Sequence, residues 1–232
     1  MGNFEKLLAK LDETQKSLSR RYDGYYLIPS DIFYEKTRRA WILLDLVEKS
    51  EVSKDLKLEA RKNFIINCTT ALEVFLKDML IGIVDILLEK KCHPDKIDSL
   101  FKEKITLGEA YQLLSERKIS AGLLIASKYS FHNLEVIDRI FSVIINGNFL
   151  ESLGKFEVKD SKGKTKFVLD KRYHNGNWRN KLAEFLYLRH KFVHQIKFKD
   201  KLGLKRILKL WECLSDFVEA TEQYLFQYIP IE

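Results

Sequence analysis

The stretch from Ser53 to Lys90 most constrains the fold, because it contains no proline and a single glycine, Gly82. Its apolar residues recur at helical spacing on two faces, which run through Phe64, Cys68, Leu72, Phe75 and Met79 and through Ile66, Thr69, Leu76 and Leu80. A helix that is apolar on two sides must be covered twice, by the rest of its domain or by a second subunit. The stretch therefore predicts a long core helix with a bend at Gly82, and with Glu73 inside its second apolar face.

Residues that favour chain reversal are scarce, with only 10 Gly and 3 Pro among 232 residues. Sandwiches, barrels and propellers need many turns, so these folds are excluded, and a hydrophobic content of 46% excludes disorder as the main state. We therefore expect an all-α helical bundle. Further helices are predicted at 3–20, 31–49, 95–103, 107–117, 134–147, 178–194 and 202–228.

One segment departs from this helical pattern. Phe156–Val158 and Lys166–Leu169 flank the turn-forming Asp160–Gly163, which predicts a small β-hairpin insertion within residues 155–170. No repeat or flexible linker divides the chain. We expect a single domain over residues 1–232, with a helical arm at residues 1–29.

The charge of the chain is segregated. The formal net charge is +7, yet residues 171–210 hold twelve basic and two acidic residues, and residues 211–232 hold five acids without Lys or Arg. Aromatic residues are interleaved with the basic ones, which favours a polyanionic partner such as RNA. The three scattered cysteines indicate neither a disulfide framework nor a zinc site, and a reducing cytoplasm is expected.

Two other classes of protein are disfavoured by the sequence. The most apolar run, Met79–Leu88, is too short to span a bilayer, and no signal peptide is visible, so no membrane association is expected. His93, His132 and His174 lack partners at ligand spacing and are expected to be surface or capping residues. We expect no metal and no cofactor.

Arg189 is the most informative charged residue. In the predicted helix 178–194 it lies among the apolar positions Leu182, Phe185, Phe192 and Val193. A guanidinium stays charged, so it must be paired internally or must face a cleft that receives an anion. A buried ion pair between Arg189 and Glu73 is one possibility, and a phosphate-binding site is the other.

Two histidines accompany this arginine in the hexapeptide Arg189-His190-Lys191-Phe192-Val193-His194. On an unbroken helix Arg189 and His194 are roughly 140° apart, so they do not converge on one atom within a single chain. Either the helix loosens there or two copies of the chain meet. A two-fold axis along the helix would bring both pairs into one cleft.

The hexapeptide resembles the signature of the HEPN superfamily, in which an arginine and a polar residue precede a histidine near the end of a helix. The segments 60–64 and 70–78 resemble its long core helix with an Ala-Leu-Glu sequence, and the resemblance covers residues 31–226. It implies a helical domain that dimerises to build a composite, metal-independent ribonuclease site, as in toxins and in defence or CRISPR-associated nucleases.

The resemblance also implies residue roles. Arg189 would stabilise the phosphate and His194 would transfer a proton, with Glu73 in a supporting position. His190 stands where the family often has Asn, so which histidine is the acid and which the base stays open. The basic block offers RNA contacts at Arg179, Lys191, Lys197 and Lys199.

The expected function is endonucleolytic cleavage of single-stranded RNA, leaving a 2′,3′-cyclic phosphate and a 5′-hydroxyl. A toxin–antitoxin or phage-defence setting follows from the resemblance, with an antitoxin or other regulatory protein as a further partner. HEPN proteins without nuclease activity also exist. The alternative is therefore a non-catalytic dimer that binds RNA, a nucleotide or a protein through the same basic cleft.

Overall fold

The computed structural model describes residues 29–89, 97–100, 108, 111–116, 119–174, 176–194 and 202–227. Of these residues 79% are helical and 4% lie in strands, so the all-α prediction is confirmed. The predicted N-terminal arm lies outside the described residues except for Pro29, which begins the first described helix.

The helices and strands within the described residues are numbered in chain order. They are α1 (Pro29–Lys49), α2 (Lys54–Glu89), a 3₁₀ turn (Ile97–Leu100), a π-helical turn (Gln112–Glu116), α3 (Ala121–Ala126), α4 (Leu134–Ile145), α5 (Phe149–Lys155), β1 (Glu157–Lys159), β2 (Thr165–Val168), α6 (Leu169–Arg172), α7 (Asn177–His194) and α8 (Leu204–Phe226).

Helix α2 is the core of the bundle. It continues as one helix through Gly82, and Phe64, Leu72, Leu76 and Leu80 on its two predicted faces are buried. Helices α1, α3, α7 and α8 pack around it. The domain itself therefore covers both apolar faces of α2, which was one of the two arrangements predicted from the sequence.

Helix α3 lies very close to α2. A Cβ atom on Gly122 would lie 2.5 Å from the carbonyl oxygen of Ile81, so only glycine fits there without displacing backbone. The Gly122 amide donates to Asp85 at 2.7 Å and fixes the contact. Tyr129 and Phe131 in the following loop are buried, and this anchors the loop against the core.

Helix α7, which carries the hexapeptide, is fixed at its N-terminal half. Trp178 is fully buried and stacks on Phe217 of α8, with ring centroids 6.1 Å apart. Its indole Nε1 donates to Asp170 of α6 at 2.8 Å. These contacts hold α7 against α8 while α7 also packs on α2.

The predicted hairpin is present but smaller than residues 155–170. Strands β1 and β2 pair antiparallel, whereas Lys155 ends α5 and Leu169 begins α6. The side-chain amide of Gln223 on α8 donates to the Lys159 carbonyl and accepts from its amide, each at 2.9 Å. The hairpin thus docks on α8 through a side chain that pairs with the strand backbone.

Other differences from the sequence prediction concern short elements. Helices α3 and α5 were not predicted, because six or seven residues are too few to show helical periodicity. The described parts of the predicted helices 95–103 and 107–117 contain the 3₁₀ turn and the π-helical turn. Both conformations place side chains at spacings other than that of the α-helix.

Candidate functional site

The hexapeptide occupies the last described turns of α7, where the side chains become progressively less buried. Leu186 and Leu188 are buried, Arg189 is half-buried, and His190 and His194 are exposed. The helix stays regular to His194. It does not loosen between Arg189 and His194, so these side chains leave α7 in directions roughly 140° apart.

Arg189 has no ion pair or hydrogen bond with any residue in the described part of the chain. Glu73 does not pair with it. The two oxygens of the Glu73 carboxylate instead lie 3.3 Å from Lys77 Nζ and 3.6 Å from His132 Nδ1. The buried Glu73–Arg189 ion pair considered from the sequence is therefore not formed.

His132 joins the residues of α2 to those of α7. It lies in the loop after α3. The residue before it, Phe131, is buried, and the residue after it, Asn133, caps α4 by accepting a hydrogen bond from the Glu135 amide at 2.7 Å. Burial of Phe131 and the capping role of Asn133 together restrain the backbone on both sides of His132. Its side chain is 39% exposed and faces Glu73.

The electrostatic surroundings of His132 include charges from both helices. Burial lowers its pKa, Glu73 opposes this by raising it, and Arg189, Lys77 and His190 lower it further. The net result is a pKa below the ordinary histidine value, which favours the neutral imidazole. We call Glu73, Lys77, His132, Arg189 and His190 the α2–α7 cluster.

His194 is connected to this cluster by His190. The two imidazoles lie one helical turn apart, with ring centroids separated by 4.6 Å and planes inclined at 51°. The exposed His190–His194 pair therefore extends from the cluster along the outer surface of α7. Arg189 and His190 both act electrostatically on His132, and His194 lies one turn beyond His190.

The predicted RNA contacts have different surroundings. Arg179 donates from Nη2 to the Leu150 carbonyl at 3.1 Å and lies over the Trp178 ring, which gives it a structural contact that the sequence did not indicate. Lys191 is half-buried and lies over the ring of Tyr187. Lys197 and Lys199 fall outside the described residues. RNA binding by all four residues stays a prediction.

Sequence reasoning did not identify His132 and Lys77 as members of the site. Lys77 follows Glu73 by one helical turn, a spacing that was available in the sequence as a signal. No such signal exists for His132, because its proximity to Glu73 depends on how the loop after α3 folds back over α2. His132 was expected to be a surface or capping residue.

Two further properties concern the described ranges as a whole. They contain no group of three or more His, Cys, Asp or Glu side chains able to hold a metal ion. Within the same ranges, every helix is too short or too polar to cross a membrane.

No protein-family model matches the chain, and neither a curated protein nor a solved structure is significantly similar to it.

Proposed function

We propose that this protein is a HEPN-type, metal-independent endoribonuclease that cleaves single-stranded RNA. The observation that carries the proposal is the half-buried Arg189, whose guanidinium has no carboxylate partner among the described residues although Glu73 lies in the same cluster. A cation left without an internal partner can bind an anion. Its histidine neighbours can supply the proton transfers that phosphodiester cleavage needs.

The chemistry follows from these groups. RNA carries its own nucleophile, the 2′-hydroxyl, and an imidazole with a pKa near the physiological range can accept its proton. Arg189 offers paired N–H donors to the phosphate as negative charge develops there. A second imidazole protonates the leaving 5′-oxygen. The products are a 2′,3′-cyclic phosphate and a 5′-hydroxyl.

Dimerisation belongs to the proposal because α7 is unbroken. Arg189 and His194 of one chain diverge, whereas a two-fold axis along α7 would bring His194 of one copy toward Arg189 of the other. The basic residues around the hexapeptide, twelve against two acids over residues 171–210, would attract the RNA backbone. A cytoplasmic toxin–antitoxin or phage-defence role, restrained by a partner protein, fits such an activity.

The direct test is incubation of the purified protein with labelled single-stranded RNA in the presence of EDTA. We expect cyclic-phosphate ends, no cleavage of the matching DNA, which lacks the 2′-hydroxyl, and loss of activity in Arg189→Ala and His194→Ala. Arg39→Ala is the matched control, because Arg39 is an exposed arginine of α1. Full activity of Arg189→Ala, or abolition of cleavage by EDTA, would contradict the proposal.

The non-catalytic alternative is favoured by the divergence of Arg189 and His194 within one chain. A monomer could then bind RNA through the basic surface without cutting it. Sedimentation of the wild-type protein, run beside the RNA assay, separates the two functions. A strict monomer that binds labelled RNA and leaves it intact would establish binding as the function.

A further inference from the structure

We propose that His132, oriented by Glu73, is the general base that accepts the 2′-hydroxyl proton, a role that rests on the proposed ribonuclease activity. From the sequence, this role was expected of His190 or His194. The geometry points instead to a histidine from a different element, the loop that follows α3. Three segments of one chain then contribute to the reaction, namely α2, this loop and α7.

The first argument is the orientation of the imidazole. The Glu73 carboxylate lies 3.6 Å from His132 Nδ1 and is 20% exposed. A carboxylate beside Nδ1 favours the tautomer that carries its proton there, and the lone pair is then on Nε2. The carboxylate thus lies on the Nδ1 side of the ring, at an ion-pair distance that is longer than the hydrogen bond of a nucleophile–base–acid triad.

The second argument is the set of charges that face His132. Glu73 and Lys77 act from α2, and Arg189 and His190 act from α7. Partial burial lowers the pKa of His132 most, Glu73 opposes it, and the cationic groups add to the lowering, so the neutral imidazole is favoured. Neutral imidazole is the form that accepts a proton, whereas the phosphate needs a fixed cation, and the cluster provides both within one chain.

The proposed step is balanced within this set of groups. The proton of the 2′-hydroxyl moves to His132 Nε2 as the 2′-oxygen forms a bond to phosphorus. The bond from phosphorus to the 5′-oxygen breaks, and that oxygen takes a proton from the imidazolium of His190 or His194. His132 then returns its proton to water, and the acid is reprotonated from water.

The kinetic test measures kcat and KM for labelled RNA across pH in four proteins: wild type, His132→Ala, His132→Gln and Glu73→Gln. We expect both His132 variants to lose kcat by roughly 100-fold or more with little change in KM, and added imidazole to restore part of the rate in His132→Ala. The matched control is His174→Asn, because His174 is exposed and asparagine tolerates its positive φ of 50°.

Glu73→Gln tests orientation rather than proton transfer. Loss of the carboxylate removes a group that raises the pKa of His132, so the acidic limb of the kcat profile should move to lower pH. Titration of the His132 ring by NMR in wild type and Glu73→Gln measures the same pairing without activity. Equal titration midpoints in the two proteins would overturn the proposal.

The outcomes separate this inference from the proposed function. A wild-type protein that cleaves RNA, with kcat unchanged in both His132 variants, overturns the role of His132 and leaves the ribonuclease intact. A wild-type protein that does not cleave RNA overturns both. Where His132→Ala unfolds, His132→Gln keeps the side chain polar and of similar size, and its kcat decides.

Discussion

Two arginines on neighbouring helices have opposite surroundings. Arg172 lies 2.9 Å from both Asp216 and Glu212, and Asp216 also accepts a 2.6 Å hydrogen bond from Tyr173. Arg189 has no carboxylate partner among the described residues. The network on α6 and α8 is closed, since its cation is paired with two acids, whereas Arg189 of the α2–α7 cluster has no acid partner within the described ranges.

Burial and pairing distinguish a charge that stabilises the fold from one that is accessible to an anion. Asp216 is only 7% exposed, and a carboxylate at that depth needs its hydrogen bonds and its cation. Arg189 is half-buried and keeps part of its hydration, so it is tolerated without an acid. Removal of a charge should therefore cost stability in the closed network and activity in the α2–α7 cluster.

The largest expected effect is the loss of cleavage in Arg189→Gln. The variant lacks the guanidinium that donates hydrogen bonds to the phosphate as negative charge develops in the transition state. The kcat should therefore fall roughly 100- to 1000-fold. The free energy of unfolding should change by less than about 0.5 kcal/mol, because no internal ion pair is broken. Chemical denaturation beside the RNA assay checks both values. A large loss of stability would mean that Arg189 has a structural partner.

The reverse pattern is expected for Arg172→Gln. Asp216 would lose its cation while staying buried, and the free energy of unfolding should fall by about 2 kcal/mol. The kcat for RNA should stay at the wild-type value at temperatures where the variant is folded. Denaturation and the cleavage assay measure the two effects, and Arg39→Gln is the exposed control. Unchanged stability would remove the contrast between the two arginines.

The third prediction concerns the close contact between α3 and α2, which precedes the loop that contains His132. Gly122→Ala places a methyl group against the Ile81 backbone and should lower the free energy of unfolding by about 1–3 kcal/mol. Gly82→Ala is the matched control within α2. A Cβ there meets nothing within 4 Å, and the change should stabilise the helix by about 0.5–1 kcal/mol. Thermal unfolding of both variants tests this, and equal midpoints would contradict it.

The smallest effect is on the pH dependence of stability, which should have opposite signs in the two regions. Burial raises the pKa of Asp216, so the folded state holds its proton more tightly than the unfolded state. The contribution of Asp216 to stability then falls as pH rises from 3.8, its ordinary value, through the raised pKa. This follows because the folded protein binds more protons than the unfolded one in that window.

His132 should act in the other direction. Burial lowers its pKa, so the unfolded state binds more protons between the lowered value and 6.5, and stability rises with pH through that window. Unfolding free energies of wild type, Asp216→Asn and His132→Asn measured at several pH values give each contribution by difference. A slope of the same sign for both residues would contradict the comparison.

The sequence predicted the long helices well, because periodicity over many turns is a strong signal. Helix α2 was expected from Ser53 to Lys90 and is described from Lys54 to Glu89, and α7 is helical through His194, the last described residue before 202. The same residues of α2 showed that it would be covered on two sides. Which elements cover it could not be derived, since the short α3 carries too few residues for a periodic pattern.

For the candidate site, the sequence indicated Arg189 as a charge at an apolar position but could not indicate its surroundings. Helical spacing relates residues within one element, such as Glu73 with Lys77 or His190 with His194. It gives no distance between α2 and the loop at His132. The Glu73–His132 pair depends on a tertiary contact, and for that reason the sequence left His132 among the surface histidines.

The close approach of Gly122 to Ile81 has a consequence for how this protein can change. The loop that contains His132 begins directly after α3. The packing of α3 on α2 therefore determines the position of the His132 imidazole. Gly122, which has no side chain, thereby influences the position of the proposed general base ten residues later. Selection for turnover would then act on Gly122 as strictly as on the histidine itself, and a screen for inactive but soluble variants should recover substitutions at both.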